Sequence, residues 1–330
     1  MPLRVAFLLP EDPVQQLLNA LPESAGDVEI MCVKHNDEAL ASNLQIDAIC
    51  WVPPCNSGRL AAMLEAHPET TWVHSFSAGV DYIAGVIKSH MLDRPTLALS
   101  NGRGAFSESL GEYTIAAAFH FTKQFKRCDQ NRREKKWDKF VMPVLRGKTM
   151  GFVGWGHIAK TTARLAAPLG LRLVALRRNP ERPAEAGDPA LAGTYGGGQQ
   201  AEFYAQCDFV VCTLPLTDET RGAVDVAAFG AMKPGAVFIS IGRGAAVDET
   251  ALCEALRTGQ IAGAACDVFA TEPLPADSPL WLQENLLMTA HNADLTEDYF
   301  GLAVQTWRDN LECFRSGTQL ATPVDKASGY

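Results

Sequence analysis

The sequence predicts an α/β protein of two parallel-sheet domains, with the second inserted into the first. Three observations carry this. The chain has 330 residues, 47% hydrophobic and 20% charged, which suits about two globular domains that each bury a core. Short apolar runs alternate with helical stretches in two successive series, the pattern of parallel strands covered by helices on both faces. A last stretch, Thr296 to Phe314, reads as a helix that returns to the first domain.

In the first series Val5–Leu9, Asp47–Val52, Trp72–Ser75 and Thr96–Leu99 read as strands. Val14–Leu21, Asp37–Ser42 and Gly58–Ala66 read as helices between them. A long helix is expected from Ser107 to Gln124. Ser107 suits an N-cap, and Leu110, Tyr113, Thr114, Ala117 and Phe121 recur at helical spacing. Ala116, Ala117 and Ala118 allow close packing against another helix. The basic stretch from Lys123 to Lys139, broken by acids and by Trp137, reads as a solvated helix end and a loop.

The second series has six expected strands: Thr149–Val153, Arg172–Leu176, Phe209–Thr213, Ala236–Ile241, Gly263–Asp267 and Leu286–Thr289. His157–Leu169 and Thr250–Thr258 read as helices between them. Arg178 to Gln200, rich in Pro, Gly and Ala, reads as a surface excursion. The expected division is residues 1–104 with 295–330 for one domain and 105–294 for the inserted one.

Composition excludes several functions. The net charge of -9 argues against general binding of nucleic acid or a membrane surface. No apolar run reaches the ~18 residues of a membrane span. Nine cysteines, without a C-x-x-C pair, read as reduced thiols of a cytoplasmic protein. The chain enters a strand at Leu3, so a secretory leader is not expected. No cluster has metal-ligand spacing, and no G-x-S-x-G elbow points to a hydrolase.

Val153-Gly154-Trp155-Gly156-His157-Ile158-Ala159 is a G-x-G-x-x-A turn between an apolar strand and a helix. Gly154 permits the bend, Gly156 admits a close backbone approach, and Ala159 lets the helix pack on the strand. The helix then points free N–H groups at a pyrophosphate, as in a dinucleotide site. An acid that binds the ribose hydroxyls normally stands about 20 residues further on. Here the strand ends in Arg177-Arg178. An acid would repel a 2′-phosphate, whereas guanidinium groups bind one, so NADP(H) is the preferred cofactor, with NAD(H) still open. The duller reading of the pair is two solvated arginines at a strand end.

Three polar clusters follow later strands: Ile241-Gly242-Arg243-Gly244, Asp267 to Pro273, and Thr289 to Ala293. Strand C-termini line the ligand crevice of an open α/β sheet, so Arg243, Glu272 and His291 are expected to converge. Taken singly, each has a structural explanation: a strand-end cation, a turn residue before Pro273, a satisfied core histidine.

Together these blocks resemble the D-isomer-specific 2-hydroxyacid dehydrogenases. The resemblance also covers Ser77-Ala78-Gly79-Val80-Asp81, Thr213 to Thr220, Pro279-Leu280-Trp281 and Asn285, and thus nearly the whole chain. Its nearest subgroup is the glyoxylate/hydroxypyruvate reductases. It implies two Rossmann-like/flavodoxin-like domains, the nucleotide domain inserted into a split substrate domain. It implies His291 as proton donor to a 2-keto acid, Glu272 as its partner, and Arg243 on the substrate carboxylate and keto oxygen. Ala78 and Gly79 would offer N–H groups to the carboxylate. Asp267 would sit near the nicotinamide carboxamide, and Leu214 and Pro215 near the adenosine. Thr220, Ile241, Gly242 and Ala293 complete the expected cofactor set.

The sequence departs from the family's pattern at Trp155, Ser240, Ala290 and Asp294. The retained Arg, Glu and His also occur in corepressor-like NAD(P)H sensors of the same fold, so that reading stays open, as does another hydroxyacid specificity. The long helix and the resemblance imply a homodimer acting on a small 2-keto or 2-hydroxy acid.

Overall fold

A computed structural model describes residues 2–13, 15–21, 24–25, 28–33 and 45–330. The helix expected at Asp37–Ser42 lies outside these residues. The chain divides into two compact units, Met1–Phe106 with Glu297–Tyr330, and Ser107–Thr296. The expected crossings lay two residues earlier.

Unit 1 contains β1 (Leu3–Leu8), α1 (Gln15–Ala20), β2 (Ser24–Ala25), β3 (Val28–Val33), β4 (Ala48–Trp51), α2 (Ser57–Ala66), β5 (Trp72–Ser75), the short α3 (Ala84–Val86) and β6 (Ala98–Asn101). The sheet order is β2-β3-β1-β4-β5-β6. All pairings are parallel except β2 with β3. With β1 between β3 and β4, the parallel strands follow the flavodoxin-like order. The sequence reading missed β3. Its run Val-Glu-Ile-Met-Cys-Val mixes buried ends with an exposed Glu29, whose carboxylate pairs with Arg4 at 2.8 Å. That pattern is neither a buried run nor a clean alternation.

The C-terminal helix Tyr299–Ser316 belongs to this unit. It buries Ala303, Val304, Trp307 and Leu311. Trp307 meets Phe7 edge-on at 5.1 Å, and Phe314 stacks on Trp72 at 5.0 Å. The aromatic spacing of this one helix therefore holds it to β1 and β5. The chain end is fastened too: the Lys326 ammonium donates to the carbonyls of Met91, Arg94 and Leu97 at 2.7–3.0 Å.

Unit 2 opens with α4 (Ser107–Thr122) and α5 (Phe125–Arg133). Then follow β7 (Thr149–Val153), α6 (His157–Ala166), β8 (Arg172–Leu176), β9 (Gly193–Tyr195), α7 (Gln200–Gln206), β10 (Phe209–Cys212), α8 (Val226–Ala231), β11 (Val237–Ser240), α9 (Glu249–Thr258), β12 (Gly263–Cys266) and β13 (Leu286–Met288). The sheet runs β13-β12-β11-β10-β7-β8-β9, all parallel. This is the Rossmann order with one further strand at the β13 edge.

There are seven strands here where the sequence predicted six. The addition is β9, inside the segment read as a surface excursion. Three residues, the first of them Gly193, are too short to show a period. Buried Phe152, Phe203, Tyr204, Phe229 and Phe238 fill the core around the central strands. The close contact of α4 with α6 rests on Gly111, where an added Cβ would lie 2.9 Å from Leu165 Cδ1. Ala117 and Ala118 are buried further along α4.

Candidate active site

The turn after β7 is a tight glycine bend that leads straight into α6. Gly154 has φ +92°, a conformation that a side chain strains, and an added Cβ would press on Thr213 Oγ1 and Leu214 Cδ2 at 3.1–3.2 Å. Gly156 differs: a Cβ there would meet no protein atom within 4 Å. The protein leaves space at this position, so an approaching ligand is what a side chain would obstruct. Gly156 is the N-cap of α6 without a side-chain cap bond, and Ala159 is fully buried under the helix. The first N–H groups of α6 are thus aimed outward. His157 bonds Ser107 Oγ through Nδ1 at 2.8 Å, and Ile158 O accepts from Thr162 at 2.8 Å. Trp155 rests edge-on against Phe152 at 5.5 Å.

At the end of β8, Arg177 is partly buried and Arg178 exposed. One amino group of Arg177 donates to Pro180 O at 2.8 Å and to Arg182 O at 2.5 Å, while its buried Nε has no partner. A small cavity of about 150 Å³ beside it is lined by Trp155, Lys160, Arg177, Asn179 and Arg182, among others. On the far side of the turn, Leu214 and Pro215 are half-buried. Thr220 Oγ1 donates to Pro215 O at 2.6 Å and accepts from Thr217 N at 2.8 Å, so its hydroxyl shapes this loop. Ile241 is buried, and Gly242 lies so close to Leu214 that an added Cβ would stand 2.5 Å from Leu214 O.

Arg243, Glu272 and His291 follow β11, β12 and β13, three adjacent strands. Gly244 sets the spacing of the first two loops, because a Cβ there would collide with the backbone of Phe269. Glu272 is held by the Phe269 N–H, which donates to Oε1 at 2.8 Å. Its other oxygen receives His291 Nδ1 at 2.6 Å. The bonded pair keeps 31% and 27% side-chain exposure for His291 and Glu272 respectively, so it is sheltered yet reachable.

The electrostatics follow from this geometry. The bond to Glu272 raises the His291 pKa, against the opposing effects of burial and the Arg243 charge. Burial would raise Glu272, but the bonds from His291 and the Phe269 N–H outweigh it and hold the carboxyl below its ordinary range. Burial raises Asp294, with the charges of His291 and Arg243 acting against it. Arg243 therefore lies within electrostatic reach of all three groups. With Nδ1 engaged, Nε2 is the nitrogen that His291 can offer to a substrate.

His291 has φ +51°, and its N–H donates to Asp267 O at 2.7 Å. The buried Asp267 carboxylate accepts from Thr289 Oγ1 at 2.6 Å, Asn292 N at 3.1 Å and Ala293 N at 3.2 Å. Thr289 in turn meets Tyr113 OH at 3.0 Å. Having one proton, the threonine hydroxyl donates to the carboxylate and accepts from the phenol. In unit 1, Ala78 and Gly79 lie in the bend after β5, where Asn101 Nδ2 donates to Ala78 O at 2.6 Å.

A family model for the NAD-binding domain of D-isomer-specific 2-hydroxyacid dehydrogenases matches residues 115–293. The chain belongs to this family. Glyoxylate/hydroxypyruvate reductase B of Enterobacter sp. (strain 638) is 31% identical over 76% of this chain and 76% of that protein. Glyoxylate reductase of Korarchaeum cryptofilum is 29% identical over 78% and 76%. A probable 2-hydroxyacid dehydrogenase from Rhizobium etli, solved with NADP, HEPES and L(+)-tartaric acid, superposes with TM-score 0.83. It is 25% identical, covering 99% of this chain and 100% of its own. The protein is thus an NAD(P)-dependent dehydrogenase of this family, near the glyoxylate/hydroxypyruvate reductases.

In this dehydrogenase the structure adds residues that the sequence reading did not single out for the site. Tyr113 appeared only as a packing position of the long helix, and Lys160, Arg182, Glu185 and Asp188 did not feature. No helix among the described residues is long and apolar enough to cross a membrane, and no group of three or more His, Cys, Asp or Glu among them could hold a metal ion.

Proposed function

We propose that the protein reduces small 2-keto acids of the glyoxylate/hydroxypyruvate type to D-2-hydroxy acids, with NADPH preferred over NADH. The observation that carries the chemistry is the 2.6 Å bond between His291 and Glu272 inside the electrostatic reach of Arg243. Bound cofactor supplies a hydride. His291 then donates a proton from Nε2 to the carbonyl oxygen, while Glu272 fixes the ring and stabilises its charged form. Arg243 pairs with the carboxylate and polarises the carbonyl. In the reverse direction neutral His291 takes the proton back. The N–H groups of Ala78 and Gly79 are proposed to bind a carboxylate, and Asp267 to lie near the nicotinamide.

The cofactor preference is supported by the open space at Gly156, the partnerless Nε of Arg177 and the exposed Arg178. Two relatives are named for glyoxylate reduction, and the Rhizobium etli protein was solved with NADP. The test is a keto-acid panel run with both cofactors. Turnover of glyoxylate or hydroxypyruvate is expected, with an NADPH/NADH ratio of kcat/KM above one that falls sharply in Arg178→Asp. Arg178 suits this test because Arg177 also braces its own loop. Tight cofactor binding with no turnover on the whole panel would sink the enzyme reading in favour of a sensor.

A second copy of the chain is the proposed partner. In unit 2 the segment after α4 exposes Phe125, Val141, Met142, Val144 and a Trp137 that is 92% accessible. Large apolar side chains gathered on one segment mark an association surface. Sedimentation is expected to give twice the mass of one chain, and a single-chain species at micromolar concentration would refute it.

A further inference from the structure

The segment after β8 folds back over the start of α6. Arg177 draws it in by donating to the carbonyls of Pro180 and Arg182. The cavity so formed is lined by Trp155, Lys160, Arg177, Asn179, Arg182 and Glu185 among others. Two carboxylates share its lysine: Lys160 Nζ lies 2.7 Å from Glu185 Oε2 and 2.9 Å from Asp188 Oδ1. Glu185 also reaches the second cation, with Arg182 Nη2 at 2.6 Å from Oε1. Burial works against the charge on Lys160, and the two acids overcome it.

The two carboxylates are not equivalent. The Asp188 side chain is 7% exposed and accepts the Glu185 N–H, so it is a fixed counter-ion. The Glu185 side chain is 54% exposed. A carboxylate more than half in solvent gains little from its ion pairs, so it exchanges readily for a stronger anion. A phosphate monoester carries about −1.5 to −2 charges and three acceptor oxygens, against one charge on a carboxylate.

We propose that Glu185 is an internal anion that holds Lys160 and Arg182 beside the turn until the 2′-phosphate of the cofactor displaces it, so that this side chain sets the margin by which NADPH is preferred over NADH. The inference rests on the NADP(H) reading above. It gives Arg177 a shaping role in the cavity and Trp155 a place in its wall. A dinucleotide without the 2′-phosphate has nothing to exchange for Glu185 and leaves the pairs intact.

The test is calorimetric titration of the full chain and its Glu185→Gln variant with NADPH, with NADH, and with inorganic phosphate. Glu185→Gln is expected to tighten NADPH about two- to fivefold, the effect of removing one half-exposed competing carboxylate from Lys160 and Arg182. NADH should change less than that. Millimolar inorganic phosphate should weaken NADPH more than NADH in the variant, which separates a free phosphate from the one carried on the ribose. Equal tightening of both cofactors, or weaker NADPH, overturns the proposal. A wild type that binds both equally refutes the NADP(H) reading itself, whereas a preference unchanged in Glu185→Gln refutes only the role of Glu185. Thermal melting of the variant checks that it is folded.

Discussion

His291→Asn is expected to lower kcat for keto-acid reduction by about 10²–10⁴-fold, the usual contribution of a positioned general acid, with NADPH affinity little changed. The amide preserves some polarity but cannot deliver a proton. The pH profile supplies the second readout. The bond to Glu272 raises the His291 pKa, so the acid form persists above the ordinary value near 6.5. Reduction should therefore hold through neutrality and fall as pH rises through the raised pKa, while oxidation rises across the same window. In Glu272→Gln the negative charge is gone and a neutral amide oxygen is the weaker acceptor, so burial and Arg243 weigh more on the ring. The falling limb then moves to lower pH. Steady-state rates from pH 5 to 10 would decide it; an unshifted limb, or full turnover in His291→Asn, removes His291 from the role.

The second large effect is expected at Arg243. Arg243→Ala should lower kcat/KM by about 10²–10³-fold, as loss of a preorganised donor to a developing oxyanion does. Arg243→Lys should recover only part of this, because an ammonium lacks the planar fork that meets a carboxylate in two places. The same substitution has a signature that simple misfolding does not reproduce. The Arg243 charge depresses His291, so Arg243→Ala moves the falling limb to higher pH, opposite to Glu272→Gln. Limbs that move together, or an unchanged kcat/KM, would place the guanidinium away from the reacting groups.

Much of this frame was legible from residues. Thr149–Val153 and Arg172–Leu176 are apolar runs bounded by turn signals, and the observed strands have those bounds. The rule that ligands gather at strand ends brought attention to Arg243, Glu272 and His291, and Glu272 and His291 do meet. What escaped has physical reasons. β3 is interrupted by a charged residue, and β9 is too short for a period. The link from Tyr113 to Thr289 spans 176 residues and depends on how α4 lies beside β13. The Lys160 pairs depend on the path of a Pro- and Gly-rich segment whose composition says only that it turns. Trp155 had no account in the sequence; the structure gives it Phe152 beneath and a cavity beside it.

The absent side chain at Gly244 has a consequence for how this protein can be altered. Because the backbone of Phe269 fills the place a methyl group would take, the loops that carry Arg243 and Glu272 are effectively riveted together. Neither anchor can drift without dragging the other. New substrate preferences should therefore be sought by diversifying other positions around the acid–base pair, and a mutagenesis library that randomises position 244 should return glycine almost alone among its active members.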